Sequence, residues 1–569
     1  MKTSRRAFLK SSCAAAAGTL LGGGPKVLAA GGESAEMVFT GGAIVTMGQK
    51  TPDASAMAIR GGKVLAVGAP SAVAALMGKD TQVVDLKGRG VSPGLIDAHS
   101  HLIGFGQMQL MYVLLRPPKV TDFPSLRKAL AEAAREKPPG EWIIGRGFKD
   151  FKEGRYPRRE ELDAAVPNHP LLLINWSGQF GIANTLALKT ADLLRADVED
   201  PYGGKYLRDK RSGLPDGVLI HYPAIYSVYK PLLTDEEQRR CATWAVRQFA
   251  EQGVTCVHDN FIHPEYAATY VRMERSGELP LRIRVYPYVW NLKHAQRLVE
   301  QMRRYRGPLV RFQGVKLAVD GYPLMYKDFG HHEQMTVPMH PQGQLEAIIA
   351  AIHNAGLQVD VHAAGDKGVD WTLEAFSKAA GGDRAVRERR HRIEHFPFRK
   401  MDSIKRAAGM GVPVCPQPAI LDVQAEDFLA KMGGDRDGRR LVETMSPLRS
   451  FLSQGVPLAF GADVPAFPSH RPLDSLRCAM DRKTETGRRL DDSEAISFME
   501  ALKVHTLGGA WASFDEGDLG SLEPGKLADF VIWNMDLRKI NAAADLARLE
   551  VMSTYVGGKK VFDRAAPKA

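Results

Sequence analysis

Two histidines separated by a single residue are the first feature of the sequence that could carry metal chemistry. His99 and His101 end an apolar segment that is typical of a buried strand. Side chains two residues apart project from the same face of a strand, so these imidazoles can bind one cation. Imidazole nitrogen is a common zinc ligand. Such a pair can also be purely structural. Metal binding is therefore favoured only if other polar residues are predicted to lie at the same place.

Three further polar residues end predicted strands in the same way. His362 follows the apolar segment 357–361, His395 ends 391–395, and Asp463 ends 457–463. In a (β/α)8 barrel, catalytic side chains occupy the carboxyl ends of the strands. Burying such groups without partners would cost about 2–7 kcal/mol each, whereas a divalent cation satisfies several of them together. The pattern therefore predicts a divalent metal centre.

Lys316 is unusual because it lies inside an apolar strand, 314–320. Lysine is rarely fully buried unless its charge is paired. Pairing with Asp320 is one solution, and loss of the charge is another, because burial lowers the pKa of a lysine. A neutral amine can react with carbon dioxide, and the resulting carbamate is an anionic oxygen ligand able to bridge two metals. Both solutions stay open at this point.

The elements that must position these residues alternate between strand-like and helix-like segments. Such alternation favours parallel βα units, and eight strands are the number that closes a TIM-like (β/α)8 barrel. The candidate strands are 91–101, 254–260, 281–289, 314–320, 357–362, 391–395, 412–417 and 457–463. About 150 residues separate the first strand from the second. We predict that 102–245 is largely an insertion over the mouth of the barrel.

Both ends of the chain consist of short apolar runs punctuated by glycine pairs, such as Gly41-Gly42 and Gly557-Gly558. Runs of this kind, bounded by turn residues, are typical of strands in a small sheet. We therefore predict an α/β protein with two parts. Residues 93–510 form the barrel that carries the predicted metal centre, and 30–92 with 511–569 form a small composite β-sandwich domain.

The first 29 residues have the organisation of an export signal. Arg5-Arg6 precede Phe8-Leu9-Lys10, a weakly apolar stretch and a run of small residues, which is the pattern of a twin-arginine signal peptide. The apolar stretch is much shorter than the about 20 residues that span a bilayer. We predict export by the twin-arginine machinery to the periplasm or the medium, with no stable membrane insertion.

Composition narrows the function classes. With 569 residues, 44% hydrophobic and 25% charged, the chain is globular rather than disordered or fibrous. Five of its basic residues lie in the first 29, which contain no acid, and the others are mixed with acidic residues, so we expect no nucleic-acid partner. The five cysteines are scattered, which predicts buried free thiols rather than a disulfide framework.

Taken in order, these motifs resemble the amidohydrolase superfamily, in its amidohydrolase-3 (YtcJ-like, N-substituted formamide deformylase-like) branch. The matching segments are 92–101, 314–317, 362–366, 391–395, 461–463 and 520–529. The resemblance spans essentially the whole mature chain. It implies hydrolysis of a carbon–nitrogen bond in a small non-peptide amide or N-substituted formamide by a metal-activated water. It also implies one or two divalent metal ions per chain, with zinc expected.

The resemblance assigns six metal ligands, which are His99, His101, Asp463, Lys316, His362 and His395. The first three correspond to the ligands of the more buried metal and the last two to those of the second metal. A carbamate on the lysine would bridge the two. Asp463 also corresponds to the base that takes a proton from the attacking water and later delivers it to the leaving nitrogen.

Two positions depart from the family pattern. Gln179 stands where a histidine is common, and glutamine can hydrogen-bond a substrate but cannot act as an acid or base. His221 stands where an acidic residue is common, and it is either a compensating proton donor or a surface residue. We assign both to substrate binding, which predicts a substrate different from that of the deformylases.

Five other residues have simpler interpretations. We expect His340 in an exposed loop, Asp366 as the cap of a helix that starts at Lys367, and Glu394 as a structural partner. Arg449 and Arg471 are candidates for binding a substrate carboxylate.

Two alternatives to amide hydrolysis stay open. A deaminase or a cyclic-amide hydrolase would use the same site, and the product released distinguishes them. A non-catalytic exported binding or regulatory protein would keep the fold, although the complete ligand set argues against it. Sequence alone also leaves the substrate, the metal count and a homodimer undecided.

Overall fold

The computed structural model describes residues 34–230, 233–302, 306–321, 338–432, 434 and 436–566. The predicted signal over 1–29 lies outside this range. None of the described helices is both long enough and apolar enough to cross a membrane. Four cysteines fall within the described residues, and all four are buried and unpaired, as expected.

The described strands are short and are numbered in chain order. They are β1 Met37–Thr40, β2 Ala43–Val45, β3 Asp53–Ala54, β4 Ala56–Arg60, β5 Lys63–Gly68, β6 Gln82–Asp85, β7 Gly90–Pro93, β8 Leu95–Ser100, β9 Val113–Leu114, β10 Ile143–Phe148, β11 Leu171–Asn175, β12 Phe180–Ala183, β13 Lys205–Arg208, β14 Pro215–Ile220, β15 Val254–Ile262, β16 Arg282–Pro287, β17 Val310–Phe312, β18 Gly314–Ala318, β19 Gln358–Ala363, β20 Arg392–His395, β21 Val414–Cys415, β22 Phe530–Trp533, β23 Val551–Val556 and β24 Lys559–Asp563.

The described α-helices connect these strands. They are α1 Pro70–Ala74, α2 Leu102–Met111, α3 Phe123–Arg135, α4 Arg159–Ala165, α5 Thr185–Thr190, α6 His221–Val228, α7 Asp235–Glu251, α8 Pro264–Arg275, α9 Leu292–Met302, α10 Gln342–Asn354, α11 Asp366–Ala380, α12 Asp383–Arg389, α13 Met401–Met410, α14 Ile420–Met432, α15 Arg436–Glu443, α16 Leu448–Gln454, α17 Pro472–Asp481, α18 Phe498–Lys503 and α19 Gly509–Ala512.

Two parallel sheets contain most of the strands predicted for the central region. Their orders are β17-β16-β15-β8 and β18-β19-β20-β21, and a parallel bridge between Tyr288 and Lys316 joins them. Every residue of β18 is buried, as expected for a parallel sheet covered by helices. The segment predicted as the last strand, 457–463, is not a strand but forms an isolated parallel bridge between Leu458 and Val414, and its backbone is bonded on both sides. Ala459 N donates to Val414 O at 3.1 Å, and Ala98 N donates to Phe460 O at 2.8 Å.

The predicted first strand, 91–101, is divided at Gly94, so that β7 and β8 join different sheets. A Cβ on Gly94 would lie 2.1 Å from Thr255 Oγ1. Only glycine permits this close approach. The strand also ends earlier than predicted, since Ser100 is its last residue and His101 is the N-cap of α2.

Residues 102–245 contain a six-stranded sheet with the order β13-β14-β12-β11-β10-β9. Its strand β11 is buried on both faces. Leu171 and Leu173 pack into one hydrophobic cluster, and Leu172 and Ile174 pack into another. Since alternate residues of a strand point to opposite faces, each face of this sheet has a core of its own.

Strands from both ends of the chain share a further six-stranded sheet, with the order β24-β23-β22-β7-β2-β3. Phe530 of β22 lies opposite Pro93 of β7 in antiparallel register. The ring of Phe530 packs against those of Phe39 and Tyr555, with centroids 5.0 and 4.4 Å apart. Strand β1, which carries Phe39, belongs to a four-stranded sheet with the order β5-β4-β1-β6. The two ends of the chain are therefore packed together.

Candidate active site

His99, His101 and Asp463 form the group best suited to hold a metal ion. One ligand atom from each lies within 4.8 Å of those of the other two. Asp463 Oδ1 is 3.1 Å from His101 Nε2 and 3.5 Å from His99 Nε2. Among the described residues, no other group of three histidine, cysteine or acidic side chains is as compact.

The partners of the two histidines determine which nitrogen faces this cluster. His101 Nδ1 donates to the carbonyl oxygen of Asn260 at 2.5 Å, and His99 Nδ1 contacts the carboxylate of Glu394. With protons on both Nδ1 atoms, each Nε2 carries a lone pair. Two imidazole lone pairs and a carboxylate oxygen then converge, and none of these three atoms carries a proton. Such a set of ligand atoms fits a divalent cation.

Backbone hydrogen bonds hold the two halves of the cluster together. Asp463 N donates to His99 O at 2.7 Å, and His101 N donates to Val464 O at 2.9 Å. Asp97 strengthens this junction, because it accepts from His99 N and Ala462 N. Its burial raises the pKa of the Asp97 carboxyl to about 7. The chain at Asp463 is left-handed, with φ 52°, a strain typical of functional sites.

His362 and His395 stand beside this cluster but outside the three-ligand group. His362 is the next-to-last residue of β19, and His395 is the last residue of β20. Their ring centroids lie 4.3 Å apart. His395 Nδ1 donates to Gln417 Oε1 at 2.6 Å, an orientation fixed by the bond from Gln417 Nε2 to the carbonyl of Cys415. Burial lowers the pKa of His395 to about 4. The imidazole is therefore neutral near pH 7, as a metal ligand must be.

Lys316 is buried but is not paired with Asp320, so that sequence interpretation is wrong. Its Nζ lies 3.1 Å from Asp360 Oδ1 on the adjacent strand. Asp320 instead accepts hydrogen bonds from the backbone of Ala364 and Gly365. The reason is geometric. Residues four apart along a strand are about 13 Å apart, whereas directly opposed residues on neighbouring strands lie about 5 Å apart, and Lys316 is opposite Asp360.

Arg392 completes a buried charge network that sequence reasoning missed. Its guanidinium contacts Asp360 at 2.9 Å and Glu394 at 2.8 Å, and all three side chains are fully buried. The predicted structural partner, Glu394, therefore connects Arg392 to His99. Two cations, Lys316 and Arg392, balance two carboxylates beneath the cluster. The signal in the sequence was the pair of opposite charges at 392 and 394, two residues apart in a segment predicted to be a barrel strand.

Gln179 and His221 are neighbours in the structure. Both side chains pack against Gly321. A Cβ placed on this glycine would lie 2.7 Å from His221 Nδ1 and 3.1 Å from Gln179 Cδ. Gln179 lines the cavity above the metal ligands. His221 is fully buried, so the surface-residue alternative is wrong, and burial lowers its pKa to about 4. Their assignment to substrate binding stays a prediction.

Four of the simpler interpretations need correction. His340 is buried rather than exposed, with Tyr202 Oη at 3.2 Å from its Nδ1. Asp366 is the first residue of α11, whose N-cap is Gly365, and so it does not cap the helix. Arg449 pairs with Glu500 at 2.7 Å. Neither Arg449 nor Arg471 lines the cavity.

A cavity of about 210 Å³ opens over these residues. One wall carries the predicted ligands, and the opposite wall comes from the insertion and the segments that follow it. Six large side chains of that second wall were not predicted, namely Tyr112, Arg146, Tyr222, Tyr226, Tyr229 and Tyr266. The spacing of three of these tyrosines within 222–229 is helical and was the available signal. This volume lies below the range of about 300–1,000 Å³ for typical ligand pockets, so only a small molecule fits.

Comparison with known proteins identifies relatives over nearly the whole chain. The family described as "Amidohydrolase family" matches residues 82–562. Protein LONG AFTER FAR-RED 3 of Arabidopsis thaliana is 32% identical, over 93% of this chain and 92% of the relative. N-substituted formamide deformylase of Arthrobacter pascens is 26% identical, over 91% and 97%. The protein YtcJ of Bacillus subtilis (strain 168) is 27% identical, over 93% and 99%.

Solved structures share the fold. An uncharacterized metal-dependent hydrolase from Pyrococcus horikoshii OT3 superimposes with a TM-score of 0.68 at 23% identity, covering 89% of this chain and 98% of that one. An adenosine deaminase from Xanthomonas campestris with bound zinc has a TM-score of 0.52 at 16% identity, covering 94% of each chain.

Proposed function

Because this chain belongs to the amidohydrolase family of hydrolases, which act on carbon–nitrogen bonds, we propose that it hydrolyses a small non-peptide amide or N-substituted formamide. The observation that carries the proposal is the convergence of His99 Nε2, His101 Nε2 and Asp463 Oδ1. These atoms face a cavity of small-molecule size. The similarity to N-substituted formamide deformylase over 91% of the chain supports this choice of substrate class.

His99, His101 and Asp463 would hold the cation, with His362 and His395 available for a second one. A bound divalent ion lowers the pKa of water and polarises a carbonyl. The zinc bound to the adenosine deaminase of similar fold supports zinc as that ion.

Side chains of this protein carry out the proton transfers and the positioning of the substrate. Asp463 is the base that takes the proton of the attacking water, since its Oδ1 faces both Nε2 atoms. The same carboxyl then delivers the proton to the leaving nitrogen, so that one group serves both steps. Gln179 projects into the cavity and orients the substrate by hydrogen bonds. The tyrosine-rich wall limits access of bulk water.

A carbamate on Lys316 is part of the proposal. The side chain lines the cavity and is only 2% exposed, in a network where Arg392 already pairs with Asp360. Arg392 can therefore balance Asp360 when the lysine loses its positive charge.

We also propose that the parallel strands close into a (β/α)8 barrel. The bridge from Tyr288 to Lys316 and the hydrogen bonds of 457–464 to residues on either side support closure. Residues 30–92 and 511–569 form the composite β-domain, which the shared sheet of strands β7 and β22 supports. The barrel domain spans 93–510, with 102–245 largely inserted.

Export by the twin-arginine machinery remains our proposal for the mature protein. The pattern at Arg5-Arg6 supports it. Replacing both residues with lysine should retain the protein in the cytoplasm, and fractionation of the producing cells tests this.

The experiment that tests the function combines metal analysis with an amide screen. Protein purified without chelators should contain one or two divalent ions per chain, and it should release formate or another acid from small amides. Asp463→Asn should lower kcat at least about 100-fold, the lower end of the range for loss of an acid–base group. Ammonia as the product would favour the deaminase alternative. Absence of metal after folding with zinc or manganese would overturn the mechanism.

A further inference from the structure

Arg146 is a cation in the cavity wall for which the described part of the chain provides no paired carboxylate. It lies on β10, in the sheet of the insertion, and lines the cavity with Gln179 and the metal-facing residues. Among the described residues, its guanidinium forms neither a hydrogen bond nor an ion pair. Its peptide group is bonded normally, since Leu115 N donates to Arg146 O at 2.9 Å. The groups without partners are thus the N–H donors of the guanidinium, not those of the backbone.

Arg146 is half-buried, and the fully buried arginines of the described residues differ from it because they have hydrogen-bond partners. Arg282 forms two hydrogen bonds to Asp529, at 2.7 and 2.9 Å. Arg284 does the same with Asp515, at 2.5 and 3.1 Å. Arg482, which is also buried, is bonded to the carbonyls of Ser446 and Met445. Each of these guanidinium groups therefore has acceptors, either carboxylates or carbonyls, that Arg146 lacks among the described residues. Since arginine stays charged in proteins, an unpaired and half-buried one in the wall of a cavity indicates a ligand that supplies the missing charge.

The surroundings keep the guanidinium available rather than neutralising it. A Cβ on Gly178 would lie 2.8 Å from Arg146 Nη2, and the residue has φ +80°, so glycine both makes room and takes the turn. Arg116 lies close enough to add positive potential. Its own Nη2 is bonded to the carbonyls of Pro465 and Ala466. The acidic group that interacts with Arg146 is Asp463, which the proposed function commits to the metal.

The rest of this wall is apolar or aromatic. Ile174 and Ile225 line it beside Tyr112 and Tyr222, and the two tyrosines interact electrostatically with the guanidinium. A planar guanidinium binds a carboxylate through two parallel hydrogen bonds. The wall therefore combines a carboxylate-binding group with a surface for a small aromatic or aliphatic body.

We propose that the substrate is a small amide bearing a carboxylate, of the N-acyl or N-formyl amino acid class, and that Arg146 binds this carboxylate. The inference rests on the proposed function for the reacting bond, but the anion site itself can be tested separately. Arg146 is here a specificity-determining residue. It acts on the end of the substrate away from the metal.

The kinetic test compares two formamides that differ only in the carboxylate, N-formyl-L-phenylalanine and N-(2-phenylethyl)formamide. Arg146→Met keeps the bulk and removes the charge. It should lower kcat/KM for the acid about 10- to 150-fold, the range expected for hydrogen bonds to a charged group, mainly through KM. The uncharged formamide should change less than about threefold. Arg146→Lys, which keeps the charge, should recover part of the loss.

The binding test needs no turnover. Calorimetry with 3-phenylpropionate and 3-phenylpropan-1-ol compares wild type, Arg146→Met and the control Arg471→Met, whose arginine is exposed and outside the cavity. Only Arg146→Met should weaken the propionate, and it should leave the alcohol unchanged. Metal content equal to wild type shows that the variant has folded.

The outcomes separate the two proposals. Arg146-dependent binding of 3-phenylpropionate without hydrolysis of any amide would support the anion site and contradict the proposed reaction. Hydrolysis of both formamides with equal losses in Arg146→Met, or no loss for the acid, would overturn the anion site and keep the reaction. Failure of wild type to bind the propionate would also overturn it.

Discussion

At the scale of single residues, a hydrogen-bond acceptor beside Nδ1 of each histidine holds the ring proton there. The other ring nitrogen, Nε2, is then free to bind a metal. Glu394 does this for His99, and the carbonyl of Asn260 does it for His101. Such partners fix the tautomer and raise the basicity of the ligand. The residues around the ligands therefore matter for metal affinity almost as much as the ligands do.

Glu394→Gln should weaken zinc binding about 10- to 100-fold, as loss of a ligand's hydrogen-bond partner typically does. The amide can still accept from His99, but it lacks the charge that pairs with Arg392. Competition with a chromophoric chelator measures the affinity. Glu494→Gln is the matched control, because Glu494 is also buried and accepts from Ser450 N at 2.8 Å, whereas only Glu394 contacts a candidate metal ligand, His99. Equal weakening in both variants would contradict this role.

Lys316→Ala should remove at least one metal ion and most of the activity, because the proposed carbamate is lost. Elemental analysis and the amide assay measure the two effects. Acetate or propionate, which can fill the space with a carboxylate, should restore part of the activity. Full activity in the variant would rule out the bridging carbamate.

At the scale of elements, the site depends on how closely one extended segment approaches β8. The segment 457–464 carries Asp463, and a Cβ on Gly461 would lie 2.5 Å from His99 Cβ and 2.7 Å from His99 N. The close approach lets Asp463 reach both histidines. Glycine at this position is thus a requirement of the packing between elements.

Gly461→Ala should destabilise the protein by about 1–3 kcal/mol, the usual cost of overpacking, and should displace His99. Urea unfolding and metal content measure both effects. Gly409→Ala is the control. Gly409 lies in α13, and its Cβ would meet nothing within 4 Å, so alanine should stabilise the helix by up to about 1 kcal/mol. A destabilised Gly409→Ala variant, or an unaffected Gly461→Ala variant, would contradict the packing argument.

At the scale of the whole molecule, histidines that are not among the candidate metal ligands are also buried in the neutral state. Burial lowers the pKa of His391 to about 3 and that of His505 to about 4. In the unfolded chain each has a pKa near 6.5. Between these values the unfolded state binds more protons, so stability falls as the pH decreases.

The free energy of unfolding should therefore decrease from pH 6.5 towards pH 4, by up to about 1.4 kcal/mol per pH unit for each such histidine. Urea unfolding at a series of pH values measures it. His391→Gln removes one of these groups and should reduce the slope in this range, although it also alters the bond that Val359 N donates to His391 Nδ1. An unchanged slope in this variant would contradict the assignment.

The sequence by itself determined the histidines and the aspartate that converge as candidate ligands, and the order of the elements that carry them. This was possible because strand periodicity and the placement of polar residues at strand ends are local properties. It predicted that His99 and His101 would share one face, and they lie with ring centroids 5.3 Å apart. Six of its eight predicted strands, from 254–260 to 412–417, lie within a few residues of observed parallel strands, whereas 91–101 is divided between two strands and 457–463 is not a strand.

Only the tertiary structure determined which side chain each buried charged group pairs with. Lys316 pairs with Asp360 rather than Asp320, because register between strands sets distances that spacing along one strand cannot. Glu394 reaches His99 across 295 residues of sequence. Arg146 differs from the paired arginines only in what surrounds it. Such contacts join elements distant in sequence and depend on how sheets and insertion pack, so no local pattern specifies them.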